Sequence, residues 1–218
     1  MTTCDLVLPC RDEGPALRDL LPRVPATFSV IVVDNGSRDD TAAVAARLGA
    51  RVVHEPTPGY GAAVHAGMLA ATHDLVAVMD GDGSFDPGEL LPLLADVAEG
   101  RADIAVGRRR PVARGVWPWH ARAGNALIAA WLRHRLRMDA HDIAPMRVCR
   151  RHDLLALGLL DRRFGYPVEL LQAVTRAGWR VSEHPVAYHP RAVGTRSKVS
   201  GSVVGTARTA LDFWKVLA

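Results

Sequence analysis

Two carboxylates directly follow an apolar run at residues 76–79: Asp80 and Asp82, separated only by Gly81. Carboxylates this close together repel each other, and a hard divalent cation removes the repulsion. Oxygen ligands with open coordination positions favour Mg²⁺ or Mn²⁺ shared with substrate phosphates. The pattern therefore predicts a site for such a cation and a phosphorylated substrate; the alternative is a solvated turn ahead of a helix.

Three further polar or glycine-rich turns occur upstream. The run P-C-R-D-E spans residues 9–13, V-V-D-N-G-S spans 32–37, and P-G-Y-G-A-A spans 58–63. Open parallel sheets bind ligands at the carboxyl ends of their strands, where turn amides near helix starts receive negative charge. Each turn alone could merely connect a strand to the next helix, but four such turns at one sheet edge favour a nucleotide pocket.

The elements that must position these turns alternate between short β-rich runs and helix-period stretches, which is typical of a parallel sheet built from βαβ units. In the first half we expect strands at 6–8, 29–33, 51–54, 75–79 and 103–106, with helices near 13–21, 39–49, 61–71 and 86–99. Further on, we expect a mobile loop at 108–119, helices at 120–137, 153–160, 167–177 and 203–217, an edge strand at 146–149, a strand at 180–188 and a polar loop at 190–202.

A basic cluster in the second half could bind an acceptor phosphate. Arg191, Arg196, Ser197 and Lys198 fall within eight residues, and such side chains bind phosphate through charge-assisted hydrogen bonds. A solvated basic loop is the alternative. Arg108 and Arg122 are further candidates for this cluster.

Two acidic residues are candidates on the acceptor side. Asp142 follows the predicted long helix, and Glu169 lies at the start of a later one. An alcohol acceptor needs a carboxylate such as Asp142 to take its proton, whereas a phosphate acceptor is already largely ionised near neutral pH. The importance of Asp142 therefore depends on the acceptor, and Glu169 could simply favour its helix start.

Composition excludes several classes of protein. The 218 residues are 49% apolar and 23% charged, which excludes disorder and fibrous repeats and fits one large domain. No apolar run approaches the ~20 residues that span a bilayer, and the start lacks a basic leader, so we expect a cytoplasmic protein. Three cysteines without C-x-x-C spacing and nine scattered histidines indicate neither disulfides nor a zinc site. The net charge of +4 suits anionic ligands or membranes without choosing among them, and no nucleic-acid-binding motif is recognised.

The sequence resembles the family 2 glycosyltransferases of GT-A fold, and within them the dolichyl- or polyprenyl-phosphate sugar synthases. The matching motifs are P-C-R-D-E at 9–13, V-V-D-N-G-S at 32–37, G-Y-G-A-A-V-H-A-G at 59–67, M-D-G-D at 79–82, V-G-R-R at 106–109 and R-A-V-G-T-R-S-K-V at 191–199. The resemblance implies one α/β domain over 1–218, with a mostly parallel Rossmann-like sheet, a nucleotide-sugar half at 1–107 and an acceptor-binding half at 108–218. The residues I-A-P-M that follow Asp142 depart from the usual Ser-Gly-Phe pattern.

The resemblance also implies an activity: transfer of a hexose, with inversion, from a UDP- or GDP-sugar to a polyprenyl phosphate. It implies a nucleotide pocket lined by Pro9, Arg11, Glu13 and Asp34, together with Gly61 and Gly81, and an Mg²⁺ or Mn²⁺ ion held by Asp80 and Asp82. Asp82, Asp142, Arg191 and Lys198 are the candidate catalytic residues. The alternatives are a soluble small-molecule acceptor and a nucleotide-sugar-binding module without turnover.

Contact with the membrane surface is a further hypothesis, since a polyprenyl phosphate resides in lipid. The stretch 127–136 and the terminal stretch 203–217 could each form an amphipathic helix with arginines at the headgroups. Both could equally be ordinary helices that face the core.

Overall fold

A computed structural model of the chain describes residues 3–136 and 141–192. Its seven-stranded sheet has the order β3-β2-β1-β4-β6-β5-β7. The strands are β1 (Cys4–Cys10), β2 (Phe28–Asp34), β3 (Arg51–His54), β4 (Leu75–Val78), β5 (Ile104–Pro111), β6 (Arg147–Arg150) and β7 (Val181–Tyr188). Only β6 runs antiparallel to its neighbours β4 and β5, so the sheet is mixed but mostly parallel, as predicted.

Helices cover both faces of the sheet. They are α1 (Gly14–Leu20), α2 (Thr41–Arg47), α3 (Tyr60–Ala70), α4 (Leu90–Ala98), α5 (Trp119–Leu136), α6 (Arg151–Ala156) and α7 (Tyr166–Arg176). One short 3₁₀ turn, Leu21–Arg23, directly follows α1, and another, Pro87–Glu89, directly precedes α4. Because β-strand side chains alternate, Leu6 and Leu8 pack towards α1 and α4, while Val7 packs towards α3 and α7.

Two features of the second half differ from the prediction. The strand at 146–149 was expected at an edge, but β6 lies inside the sheet, where it pairs with both β4 and β5. The segment from Arg108 to Pro111 was expected to be a loop, yet it continues β5 because β7 pairs with it residue by residue as far as Pro111 and Tyr188. Long-range pairing overrides the local Arg- and Pro-rich composition in this segment.

The α5 helix combines core-facing and exposed positions. Ala129 and Leu132 are buried, whereas Trp119 and Leu127 are 81% and 73% exposed. No helix in the described ranges is both long and apolar enough to cross a membrane. The predicted helix at 203–217 lies outside the described residues.

Candidate active site

The carboxyl ends of β1, β2 and β4 border a cleft with a volume of about 290 Å³. Six of the residues that the sequence singled out line this cleft: Pro9, Arg11, Glu13, Asp80, Asp82 and Arg191. Asn35 and Tyr60 also line it; they belong to the turn motifs at 32–37 and 58–63 but were not singled out individually. Arg163 and Phe164 line it as well, and no sequence motif indicated them. The topology therefore brings turns from distant parts of the chain to one edge, as expected for a parallel sheet.

Asp82 is buried at the base of this cleft and is already engaged. Its Oδ2 atom lies 2.9 Å from Nε of Arg191, and its Oδ1 accepts a hydrogen bond of 2.9 Å from the Ser84 amide. The Ala192 amide also donates to the Asp82 carbonyl at 3.1 Å. Arg191, which the sequence placed with an acceptor phosphate, thus contacts a candidate metal ligand.

Asp80 is half-buried beside Asp82. Burial and the neighbouring Asp82 charge raise the pKa of Asp80 to about 6, although Arg191, Arg109 and Arg147 act in the opposite direction. This environment favours a reduction of the negative charge on Asp80 and Asp82, either by protonation of Asp80 or by binding of a cation.

The donor set suits a hard divalent cation. In residues 3–136 and 141–192, no group of three His, Cys, Asp or Glu side chains could enclose a metal by itself. Two carboxylates are enough for Mg²⁺ or Mn²⁺, since such ions commonly complete their coordination with water and substrate phosphates. At Asp82, a bound cation would have to share or displace the contact with Arg191.

The turn after β1 is held by the segment before α2. Asp12 adopts a positive φ of 54°, its amide donates to Ser37 Oγ at 3.0 Å, and its Oδ1 accepts from the Arg38 amide at 2.7 Å. The Glu13 amide donates to Thr41 Oγ1 at 2.9 Å. These bonds fix the backbone of the turn that carries Arg11 and Glu13 into the cleft.

Asp34 supports the cleft from outside its lining. Its Oδ1 accepts from the Ser37 amide at 3.0 Å, and its Oδ2 lies 3.3 Å from His54 Nδ1. The next residue, Asn35, lines the cleft: its Nδ2 donates to the Thr57 carbonyl at 2.7 Å, and its Oδ1 accepts from the Gly59 amide at 2.8 Å. Asn35 therefore connects the turn after β2 to the start of α3.

Gly59 lines the cleft, whereas Gly61 and Gly81, which were predicted to line it, do not; all three glycines permit neighbouring segments to approach closely. Gly59 has a φ of 153°, and a Cβ atom there would lie 2.0 Å from the Arg162 carbonyl oxygen. The Gly61 amide donates to the Arg163 carbonyl at 3.1 Å, so the segment 161–164 is drawn against the start of α3. At Gly81, a Cβ would lie 2.3 Å from Cys10 Sγ. The G-Y-G spacing indicated a tight turn, but it could not reveal that Arg163 and Phe164 pack beside it.

Asp142 is buried in a dense set of hydrogen bonds away from the cleft lining. Its Oδ1 lies 2.5 Å from Arg109 Nη2, and its Oδ2 accepts 2.9 Å bonds from both Nε and the backbone amide of Arg109. The Ile143 amide also donates to Oδ1 at 2.7 Å. Arg109 lies under the Trp117 ring, with its guanidinium carbon 4.1 Å from the ring centroid.

The remaining predicted residues lie elsewhere. Glu169 accepts hydrogen bonds from the amides of Leu160 and Asp161 and thereby holds the loop before α7. Arg108 lies 3.8 Å from Glu183, and Arg122 is exposed on α5; neither lines the cleft. Arg196, Ser197 and Lys198 lie outside the described residues.

Comparison with known proteins identifies the family. Residues 5–152 match the sequence family described as glycosyl transferase family 2. An uncharacterised glycosyltransferase of Mycobacterium tuberculosis is 56% identical over 213 residues, covering 98% of this chain and 97% of the relative. The polyprenol monophosphomannose synthase of Mycolicibacterium smegmatis is 32% identical over 230 residues, covering 97% and 86% respectively.

A solved structure shows the same fold. Glucosyl-3-phosphoglycerate synthase from Mycobacterium tuberculosis, crystallised with Mn²⁺, UDP-glucose and phosphoglyceric acid, superposes with a TM-score of 0.75 at 23% identity. The match covers 99% of this chain and 78% of that one. With the sheet order and the family match, this confirms the expected architecture: the chain belongs to glycosyltransferase family 2 and is a glycosyltransferase of GT-A fold.

Proposed function

We propose that this glycosyltransferase moves a hexose from a UDP- or GDP-sugar to a polyprenyl phosphate, with inversion at the anomeric carbon. The observation that carries the acceptor class is the engagement of Asp142: Arg109 and two backbone amides occupy both oxygens of its carboxylate. Asp142, which the sequence offered as the residue that would take a proton from an alcohol acceptor, is thus committed to a structural contact.

The donor half of the proposal rests on the cleft. Asp80 and Asp82 would hold Mg²⁺ or Mn²⁺, and the chemistry supplied by such a cation is neutralisation of the charge on the departing nucleoside diphosphate. Arg11 and Glu13 lie on the fixed turn after β1, where they can contact the nucleotide. The likeness in fold to an enzyme crystallised with Mn²⁺ and UDP-glucose supports this assignment.

Arg191 would contribute to the same end of the cleft. Its guanidinium lies against Asp82, and its side chain is 29% exposed. Arginine is always protonated and binds phosphate oxygens through directed N–H groups. We therefore assign Arg191 a place beside the diphosphate, in addition to any contact with the acceptor.

The acceptor half follows from acid–base chemistry. Asp142 could take a proton from an alcohol only by giving up hydrogen bonds to Arg109 in a buried setting, which is costly. A phosphate acceptor avoids that requirement because its second pKa is ~6 and its oxygen is already largely ionised. The resemblance to a polyprenol monophosphomannose synthase supports the same acceptor class.

A matched pair of acceptors tests this function. The purified chain would be incubated with Mn²⁺ and labelled UDP- or GDP-hexoses, together with either a polyprenyl phosphate or the same polyprenol without phosphate. We expect product only from the polyprenyl phosphate. Folded Asp142→Asn should retain the wild-type rate of transfer to within about threefold, whereas loss of a general base would lower that rate about 10²–10⁴-fold.

Two outcomes would contradict the assignment. Transfer to the polyprenol, or to an aqueous alcohol, with a loss of about 100-fold in folded Asp142→Asn would indicate an alcohol acceptor. Binding of a nucleotide sugar without transfer to any acceptor would contradict the acceptor class proposed for this chain. Circular dichroism and thermal melting of the variant would establish that its fold is retained.

A further inference from the structure

Arg147, which no sequence motif marked, is one of the largest fully buried side chains among the described residues. It begins β6 and lies between two tyrosine rings: its guanidinium carbon is 5.8 Å from the Tyr60 centroid and 5.5 Å from the Tyr166 centroid. A buried guanidinium keeps its charge and needs partners for its five N–H groups.

The partners of Arg147 are incomplete. Its Nη1 donates to the Tyr60 hydroxyl at 3.2 Å and to the Ala144 carbonyl at 3.0 Å. Its Nε and Nη2 atoms have no hydrogen-bond partner within the described part of the chain. Ala144 is buried and has a positive φ of 56°, a conformation that costs energy for a residue with a Cβ. A strained backbone and an incompletely paired cation both indicate a demand other than stability alone.

The contact with Tyr60 has a directional consequence. A guanidinium can only donate, so the Tyr60 oxygen must accept from Arg147, and the phenol proton is left to be donated elsewhere. Tyr60 lines the cleft together with Asp80, whereas Tyr166 lines a different, smaller cavity behind α3.

We propose that the Tyr60 hydroxyl donates a hydrogen bond to an anionic oxygen of the donor's diphosphate, and that Arg147 is the positioning residue that holds and polarises this hydroxyl. The inference rests on the proposed nucleotide-sugar donor and goes beyond it by naming two successive hydrogen bonds. The buried Arg147 donates to the Tyr60 hydroxyl, and this hydroxyl donates to a phosphate oxygen. Hydrogen bonds to charged groups are stronger than neutral ones, and an adjacent cation strengthens the phenol as a donor.

Binding of matched ligands separates this role from a merely structural one. Calorimetry would measure the affinity of the full chain for UDP and GDP with Mn²⁺, and NMR titration would measure the affinity for the corresponding nucleosides, which lack phosphate. Tyr60→Phe should weaken diphosphate binding by about tenfold or more and leave nucleoside binding within about twofold. Tyr166→Phe is the matched control, since it removes a phenol near Arg147 that does not line the cleft, and it should leave both affinities unchanged.

Two substitutions of Arg147 separate the effect of its charge from the effect of its planar guanidinium. Arg147→Met should reproduce the selective loss of diphosphate affinity, and Arg147→Lys should recover part of it because the charge returns without the planar donor fork. If Arg147→Met fails to fold, Tyr60→Phe decides alone. Two results would overturn this inference without contradicting the proposed nucleotide-sugar donor. One is an equal diphosphate affinity of wild type and Tyr60→Phe, and the other is an equal loss of affinity for diphosphate and nucleoside in Tyr60→Phe. Failure of the wild type to bind either nucleotide would overturn the proposed donor as well.

Discussion

The contact between Arg191 and Asp82 changes the role expected for one predicted residue. The sequence placed Arg191 in a basic cluster for the acceptor, and the structure places its Nε atom 2.9 Å from a carboxylate at the base of the donor cleft. Arg191 supplies a positive charge beside the buried Asp82 carboxylate, which would be costly to leave unpaired. Arg191 therefore lines the same cleft as the two candidate metal ligands.

Removal of the Asp82 carboxylate should abolish metal-dependent donor binding. Loss of a residue behind a metal ligand typically lowers metal affinity 10–100-fold, so loss of a direct ligand should lower Mn²⁺-dependent affinity for UDP or GDP at least ~100-fold. Calorimetry of Asp82→Ala with and without Mn²⁺ would measure this loss. Asp19→Asn, which changes an exposed carboxylate on α1, is the control, and unchanged Mn²⁺-dependent binding in Asp82→Ala would remove Asp82 from the metal site.

At the scale of elements, the close approach of α3 to the sheet decides the position of the cleft wall. Gly67 lies in α3 against β1 and β2, and a Cβ there would lie 2.3 Å from Val7 Cγ1 and 3.1 Å from Val33 Cγ2. The helix can therefore pack closely on the strands whose ends carry Pro9 and Asn35. Tyr60 begins the same helix, so its place at the cleft depends on this packing.

Addition of a single methyl group at Gly67 should destabilise the protein. Gly67→Ala forces a clash with Val7 in a filled core, and overpacking of this kind costs about 1–3 kcal/mol of unfolding free energy. Gly124→Ala is the matched control, because a Cβ at this position of α5 meets nothing within 4 Å. The control should gain about 0.5–1 kcal/mol from helix propensity, as measured by urea unfolding. Equal stability changes in the two variants would show that α3 does not pack as described.

Across the whole molecule, a set of aspartates joins elements that are distant in sequence. The hydrogen bond between His184 Nε2 on β7 and Asp96 Oδ2 on α4, 2.7 Å long, is the main reason that the pKa of Asp96 falls to about 2. Burial alone would raise the pKa of Asp5, but hydrogen bonds from the His73 and Thr72 segment outweigh it and lower that pKa. Because these groups bind protons more weakly in the folded state than in the unfolded state, their contribution to stability is present above pH 4 and lost on acidification.

Asp96→Asn should expose this pH dependence. At pH 7 the variant should lose about 1 kcal/mol of unfolding free energy, because the bonds from His184 and Arg101 to an ionised carboxylate are weakened. The difference from wild type should shrink as the pH falls from about 4 towards 2, where the wild-type carboxylate also becomes protonated. Urea unfolding at several pH values would measure it, with Asp19→Asn as the control. A difference that stays constant down to pH 2 would contradict the assigned role of Asp96.

The local elements and the turns that carry polar residues can be predicted from the order of residues along the chain. Periodicity and turn chemistry depend on neighbours along the chain, so most strands and helices of the first half, and the placement of Asp80, Asp82, Arg11 and Glu13 at one sheet edge, could be predicted. The long-range partners of these elements, in contrast, become evident only in the folded molecule. The antiparallel insertion of β6, the extension of β5 along β7, and the contacts made by Arg191, Asp142 and Arg147 all join residues far apart in sequence. No local pattern encodes such contacts, because their free energy comes from burial and hydrogen bonds that exist only once the sheet has assembled.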